Sequence, residues 1–454
     1  MTDEQGPVFD PNAAHQQKPK LRRVRGFPLP MQRPDGEKVM MLGLADAQQI
    51  SPKMVATVPA SQGVLPLMDG TRTLEEIVSE VGHGLTLEFL QPFVAQLDDA
   101  GLLQGPVFEA MYEEMKANFD KEDVLPPGVS AAFADQVVAA KAGEGEELTD
   151  EQKAERGPDA LREVLDQWID AALKEADDPA FETLPAAVVA PHIDYPRGWM
   201  NYAQIYGRLR VVDRPDRVVI LGTNHFGEGT GVVGCDKGFE SPLGVCPVDT
   251  GLLETLKAQL GEDASARLLE HRYDHEREHS IELHIPWIQH CIGPDEQGNH
   301  VPVFAALVHD PSVNGGESYD GNGLGFEDFV SAMKATLDKI GGKTLVVSSA
   351  DLSHVGPAFG DQKKLAGEDA EAVAAREQVT THDREMLQML LDGKPDDLVA
   401  SMSWQQNPTR WCSIGNLTAT MRLVEPNEVK LLGYVAAMDQ QGAAMVSHAA
   451  MVMN

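Results

Sequence analysis

Thr344-Leu345-Val346-Val347-Ser348-Ser349-Ala350-Asp351-Leu352-Ser353-His354 is the stretch on which the reading of this chain turns. A short apolar run rich in β-branched residues is the pattern of a strand buried on both faces. This one stops abruptly in a carboxylate and an imidazole. The same grammar recurs upstream. Ala186 to Ala190 leads into Pro191-His192-Ile193-Asp194-Tyr195, and Val218 to Gly222 leads into Thr223-Asn224-His225. Further runs lie at Val301 to Val308 and Val429 to Val435. Helix-length segments separate them, so residues 184–454 are predicted to form an α/β layered sheet domain with helices on both faces.

In open α/β sheets the crevice beyond the carboxyl ends of the strands is where ligands bind. Three strand ends that each deliver an imidazole or a carboxylate therefore predict a metal or acid–base site. Taken singly, each histidine could merely cap a loop. Cys412 adds a fourth group, placed just before the helix-like run Leu417 to Leu423. A thiol at a helix N-terminus tends to act as thiolate, whereas a lone cysteine is more often a small buried hydrophobe. Two imidazoles and a thiolate suit iron(II), copper or zinc, and do not suit magnesium or calcium.

Between those strands, His271 to His284 is dense in titratable groups. His279 and His284 flank the apolar Ile281, Leu283 and Ile285 and are expected to face the interior. His271 and His275 stay open between a proton relay and a solvated loop. Pro286 is placed early in a helix that continues through Ile288. Two motif matches mislead here. His275-Glu276-Arg277-Glu278-His279 fits HExxH, but charged neighbours replace the apolar face that a zinc-protease helix needs, and a hydrolase acting through Glu276 is the weakest reading. Gly229-Thr230-Gly231-Val232-Val233-Gly234 fits GxGxxG, yet breakers follow where a helix must open, so a hairpin with glycine turns is expected.

Upstream the texture differs. Residues 1–20 are polar and read as a disordered tail. Residues 21–105 read as a small helical domain, with Thr73 and Glu76 placed for a capping box on a helix carrying Leu74, Ile77 and Val78. A second helix carries Leu87, Leu90, Val94 and Leu97 and closes at Gly101. This helix–helix–exit pattern resembles a winged helix of the PqqD-like type, which binds peptides. Its second helix carries Glu88, Asp98 and Asp99, which argues against DNA. Residues 106–183 read as a charged helical linker, with an acidic solvated stretch at Glu144 to Glu151 and a helix from about Pro158 to Ala176.

Across 454 residues, 71 acidic side chains face 37 basic ones, a formal charge of −34. That excess repels nucleic acid and anionic membrane surfaces. No apolar run is long enough for a span, and the opening residues lack a secretory pattern. Four cysteines without a CxxC pair suit a reducing cytoplasm, the expected location.

Together the His192, His225, Glu278-to-Pro286, Ser348-to-His354 and Cys412 segments occur in the order seen in Memo proteins, also called AmmeMemoRadiSam system protein B. Val446-Ser447-His448-Ala449-Ala450 is similar to that family's last strand. The resemblance covers about residues 184–454. It implies a fold like that of class III extradiol (LigB-type) dioxygenases, with a transition metal held by residues matching His192, His225 and Cys412. Pocket residues match His279, His284, Asp351 and His354, expected to handle protons or face substrate. The implied activity is a non-haem metal redox or oxygen-dependent reaction on a small or peptide-borne substrate. The alternative is a non-catalytic metal-binding scaffold. Implied partners resemble AMMECR1-like and radical-SAM proteins. The chain departs from the family in having Ile193-Asp194 after its first histidine, where Asp194 could orient His192 or add charge at the metal. At the second motif it has a single histidine, followed by Phe226.

Overall fold

The computed structural model describes residues 6–32, 36–143, 148–362 and 365–454. The chain divides into two compact units, Met1–Glu122 and Asp123–Asn454.

The first unit opens with a helical turn, α1 (Ala14–Gln17), followed by β1 (Val24–Gln32), β2 (Lys38–Asp46) and β3 (Met54–Thr57). These strands form an antiparallel sheet in the order β1-β2-β3. Helices α2 (Leu74–Val81), α3 (Leu87–Asp99) and α4 (Pro106–Lys121) complete the unit. The expected capping box forms: Thr73 accepts from the Glu76 amide, and Glu76 accepts from the Thr73 amide. Leu44, Ile77, Leu90, Val94, Leu97, Leu102 and Leu103 make a closed core.

Two features depart from the sequence reading. The tail read as disordered is ordered where it is described, because Gln16 is buried and donates to Asp98 at 2.6 Å. Met1 to Gln5 lie outside the described residues. The sheet itself is the second departure. Pro28 and Pro30 interrupt β1 and most of its residues are exposed, so no apolar alternation marks it as a strand.

The second unit begins with β4 (Val124–Leu125), α5 (Val129–Ala142) and α6 (Asp150–Leu173). Helix α6 starts eight residues before the expected Pro158, because Thr149 and Gln152 form a capping box ahead of the proline. Buried Leu161, Leu165 and Ile169 then hold the helix through it. Of the acidic stretch, residues 144–147 lie outside the described residues.

After α6 come β5 (Ala187–Ala190), α7 (Tyr195–Tyr206), β6 (Arg217–Gly222), β7 (Val233–Gly234), β8 (Gly238–Ser241) and β9 (Gly244–Cys246). Helices α8 (Thr250–Leu260), α9 (Glu262–Glu270), α10 (His279–Glu282) and α11 (Ile285–Ile292) lead to β10 (Val303–Leu307). The unit closes with α12 (Phe326–Ile340), β11 (Thr344–Ser349), β12 (Asp351–Val355), α13 (Ala370–Leu391), α14 (Pro395–Gln405), α15 (Ile414–Val424), β13 (Val429–Met438) and β14 (Met445–Met453).

Eight strands form the main sheet in the order β12-β14-β5-β11-β6-β10-β7, with β13 paired to β14. Its centre, β5-β11-β6-β10, is parallel. Every residue of β5 and β10 is buried, as the unbroken apolar runs predict. Register fixes where the chemistry goes. Ser349 pairs with Ala190 and Ser348 with Leu221, so the carboxyl ends of β5, β11 and β6 finish at one level. A smaller sheet, β4-β8-β9, includes the hairpin expected downstream of the glycine cluster. At Gly231 the backbone runs against Leu324, where a Cβ would meet a carbonyl oxygen at 2.4 Å, so glycine serves close packing here and opens no helix. Among the described residues no helix is long and apolar enough to cross a membrane.

Candidate metal centre

His192 follows β5, His225 follows β6, and Cys412 sits in the turn that enters α15. Their ligand atoms all lie within 4.8 Å of one another. His192 Nε2 is 3.2 Å from the Cys412 sulfur, and the two imidazole rings meet edge to face at 5.1 Å. Positions separated by up to 220 residues of sequence thus share one spot on the rim.

Hydrogen bonds decide which nitrogen each imidazole presents. The Ser349 hydroxyl donates to the Ser280 carbonyl at 2.6 Å, leaving its oxygen to accept from His192 Nδ1 at 2.9 Å. That fixes the Nδ1–H tautomer and turns the Nε2 lone pair toward Cys412. Glu278 does the same for His225. Its carboxylate accepts from His225 Nδ1 at 3.0 Å, from the His225 amide at 2.8 Å and from the Ser280 amide at 2.8 Å. A carboxylate only accepts, so His225 also carries its proton on Nδ1 and presents Nε2.

The electrostatics follow this wiring. Burial works against charge on Glu278, but His225 beside it holds its carboxyl down at about 2. Burial likewise opposes charge on His225, yet Glu278 and Cys412 outweigh it and hold the imidazole well above its ordinary range, so in the metal-free protein Nε2 keeps a proton that a bound ion would displace. His192 goes the other way, driven well below its usual value by burial and by His225 and His279. The result is one anionic anchor beneath two imidazoles and a sulfur. Those donors suit a borderline or soft transition ion.

The loop carrying Cys412 is stitched to both strand ends. The Thr223 hydroxyl donates to the Cys412 carbonyl at 3.0 Å, and the Asn416 amide group donates to Thr223 Oγ1 at 2.9 Å and to the Ser349 carbonyl at 2.7 Å. The His225 loop is fixed from outside by Asp274, which accepts from Asn224 Nδ2 at 2.7 Å and from the Glu228 and Gly229 amides.

Asp351, His279 and His354 line the same cavity, about 360 Å³ in volume, beside His192 and His225. Asp351 is buried and accepts from the His192 amide at 3.0 Å; burial pushes its carboxyl up to about 7. Burial lowers His279 and His354 to about 4, so both are neutral near pH 7. His354 Nδ1 faces the Leu352 and Arg410 carbonyls at 2.9 and 3.2 Å, which makes Nε2 the acceptor nitrogen. His279 stacks on His225 at 4.8 Å. Val129, Ile193, Leu283, Phe359 and Val446 supply apolar wall.

Two expectations, for His284 and Asp194, need correction, and the rejection of the HExxH match stands. His284 is fully buried, is not part of the cavity lining, and bonds Tyr206 at 2.7 Å among the rings of Tyr202 and Tyr206. Five residues at about 100° each turn it roughly 140° away from His279, so both cannot face the rim. Asp194 does not orient His192. It caps α7 through the Arg197 amide and pairs with the Arg197 guanidinium at 2.6 Å. His275 is buried against the Val233 carbonyl at 3.1 Å, on a 3₁₀ stretch that ends before His279, so the HExxH histidines share no helical face. Glu278 and Ser349, the groups that orient the two imidazoles, were missed as functional. Glu278 adjoins His279 and Ser349 lies two residues before Asp351, both residues that the motif reading picked out, which is the only signal the sequence offers.

Comparison with known proteins finds relatives of one family. A family model described as Memo-like protein matches residues 153–452. The chain is 30% identical over 215 residues to a MEMO1 family protein of Methanopyrus kandleri, covering 46% of this chain and 68% of that relative. It is 27% identical over 207 residues to one of Desulfurococcus amylolyticus, covering 44% and 65%. A MEMO1 family protein of Aquifex aeolicus aligns over 439 residues at 24% identity, covering 95% of this chain and 99% of the relative.

Proposed function

The chain belongs to the Memo-like protein family, and from that premise we propose that it is a metalloprotein whose rim carries out a redox or oxygen-dependent reaction on a small or peptide-borne substrate. His192, His225 and Cys412 would hold the ion, iron(II) or copper in first place and zinc in second. The observation that carries this reading is the convergence of two Nε2 atoms and one sulfur, with both Nδ1 positions already satisfied by Ser349 and Glu278. When bound, such an ion supplies electron transfer or Lewis-acid polarisation at the cavity floor.

The chain's own groups supply the rest. Neutral His354 offers Nε2 to take a proton from a substrate hydroxyl, and Asp351, near 7, can hold or return one. Glu278 keeps His225 oriented, and the apolar wall keeps water from the reacting face. Two finer readings go with the proposal. The second unit is a LigB-type dioxygenase fold whose carboxylate ligand is replaced by Cys412. The first unit is a winged-helix-like module that docks a peptide or a partner resembling AMMECR1-like or radical-SAM proteins.

Oxygen uptake by purified chain, with and without added iron(II) or copper and with candidate substrates present, tests the proposal. Turnover is expected only with metal, and His225→Ala is expected to abolish it. Metal-independent turnover that follows Glu276 contradicts it. A metal-loaded but inactive chain whose partner binding survives His225→Ala is a scaffold.

A further inference from the structure

Asp383, in the middle of α13, is a fully buried carboxylate that does not line the rim. Its two oxygens accept four hydrogen bonds from neutral donors. Oδ1 receives Trp411 Nε1 at 2.8 Å and the Ser353 hydroxyl at 2.5 Å. Oδ2 receives the Tyr434 hydroxyl at 2.7 Å and the Ser447 hydroxyl at 2.5 Å. The two oxygens serve different clients. Tyr434 and Ser447 belong to β13 and β14, so Oδ2 joins the outer strands of the sheet. Trp411 immediately precedes Cys412, and Ser353 stands between Asp351 and His354, so Oδ1 ties two segments of the rim to one point.

A buried carboxylate is an expensive way to fill space, since apolar side chains of similar volume pack at least as well. What it offers here is direction. The Trp411 ring is almost wholly buried, and an indole N–H can only donate, so it settles where an acceptor waits. We propose that Asp383 is a positioning residue: through Trp411 it sets where the Cys412 sulfur stands relative to His192 and His225. The inference rests on the metal reading of that rim.

Substitutions separate this role from plain packing. In Asp383→Asn the amide oxygen can still face Trp411 and Ser353, while the hydroxyls of Tyr434 and Ser447 can reverse and accept. Asp383→Leu keeps the volume and leaves Trp411 only the more distant Ser353 hydroxyl, at 3.1 Å, as acceptor. Trp411→Phe keeps the acceptor and removes the donor beside Cys412, and Tyr434→Phe removes a donor on the sheet side only.

The test is a cobalt(II) titration of the full chain after chelation, read by the thiolate-to-cobalt charge-transfer absorption, with a thermal melt of each metal-free variant. Asp383→Leu and Trp411→Phe are expected to weaken cobalt binding about tenfold or more, in the range typical of groups that orient metal ligands. Asp383→Asn is expected to stay within about threefold of wild type. Tyr434→Phe is expected to lower the melting temperature with cobalt affinity unchanged. If Asp383→Leu does not fold, Trp411→Phe carries the result. Wild-type affinity in Trp411→Phe, or an Asn variant as weak as the Leu variant, overturns the positioning role alone. Absence of a thiolate–cobalt band in the wild type overturns the metal reading and this inference with it.

Discussion

The sheet of the first unit is antiparallel throughout, and β1 leaves most of its residues exposed. The central strands of the second unit are parallel, buried, and end at one level. An antiparallel meander sends successive strand ends to opposite edges, so nothing accumulates at either. Parallel strands send every carboxyl end the same way, so polar residues just past adjacent ends can meet. His192 and His225 follow that rule, and of the 14 histidines in the chain only His15 and His83 precede residue 122. Topology thus gathers the candidate metal ligands in the second unit.

Breaking the rim while sparing the first unit is the sharpest use of that contrast. Glu278→Gln leaves His225 facing an amide that can donate as well as accept, so its tautomer is no longer fixed. Metal affinity is expected to fall about 10–100-fold, measured by competition with a chelator, with the first unit's stability unchanged. An unchanged affinity would mean that the carboxylate serves only the fold.

Acid should separate the units next. Burial lowers His275 and His448 to about 4 and His284 to about 3 in the second unit. The unfolded chain titrates these groups near 6.5, so between pH 6.5 and about 4 it binds protons that the folded unit refuses. Stability therefore falls as pH drops through that window, by up to about 1.4 kcal/mol per unit for each histidine. Asp351, raised to about 7, opposes this, since its folded form is the one that binds the extra proton below that pH. His225, raised, is protonated in both states below 6.5 and adds no slope there. His279 and His354, also held to about 4, and His192, lowered as well, act in the same direction as His275, His448 and His284, so the net is a loss. All five tryptophans (Trp168, Trp199, Trp287, Trp404 and Trp411) lie in the second unit, so their fluorescence in metal-free protein should change at higher pH than the remaining helical circular dichroism. Coincident transitions would count against the contrast.

Thr73→Ala is the small effect on the other side. Loss of the capping box on α2 should destabilise the first unit by about 1 kcal/mol, seen in urea melts, and leave metal content untouched.

The same contrast explains what the sequence makes legible. Thr344 to Ser349 stands as β11 to the residue, and Thr73 with Glu76 caps α2, because buried strands and caps are written in adjacent residues. His192, His225 and Cys412 are legible because each follows or precedes an element whose end is marked. β1 is not, since its prolines and exposed face erase the period on which strand reading depends. Ser349 and Glu278 escape for a different reason. Their partners lie 157 and 53 residues away, and no spacing rule links a hydroxyl or a carboxylate to an imidazole that only the fold brings near. His284 misleads because it borders the same apolar residues, Ile281, Leu283 and Ile285, as His279 while its direction differs.

The central claim is that three side chains from separate strand ends grip one ion. Metal content of anaerobically purified wild type beside Cys412→Ser, measured by plasma mass spectrometry, tests it most directly. The account predicts close to one transition ion per wild-type chain and a large loss in the serine variant. Equal content in the two proteins, or none in either after growth with iron and copper supplied, would contradict it.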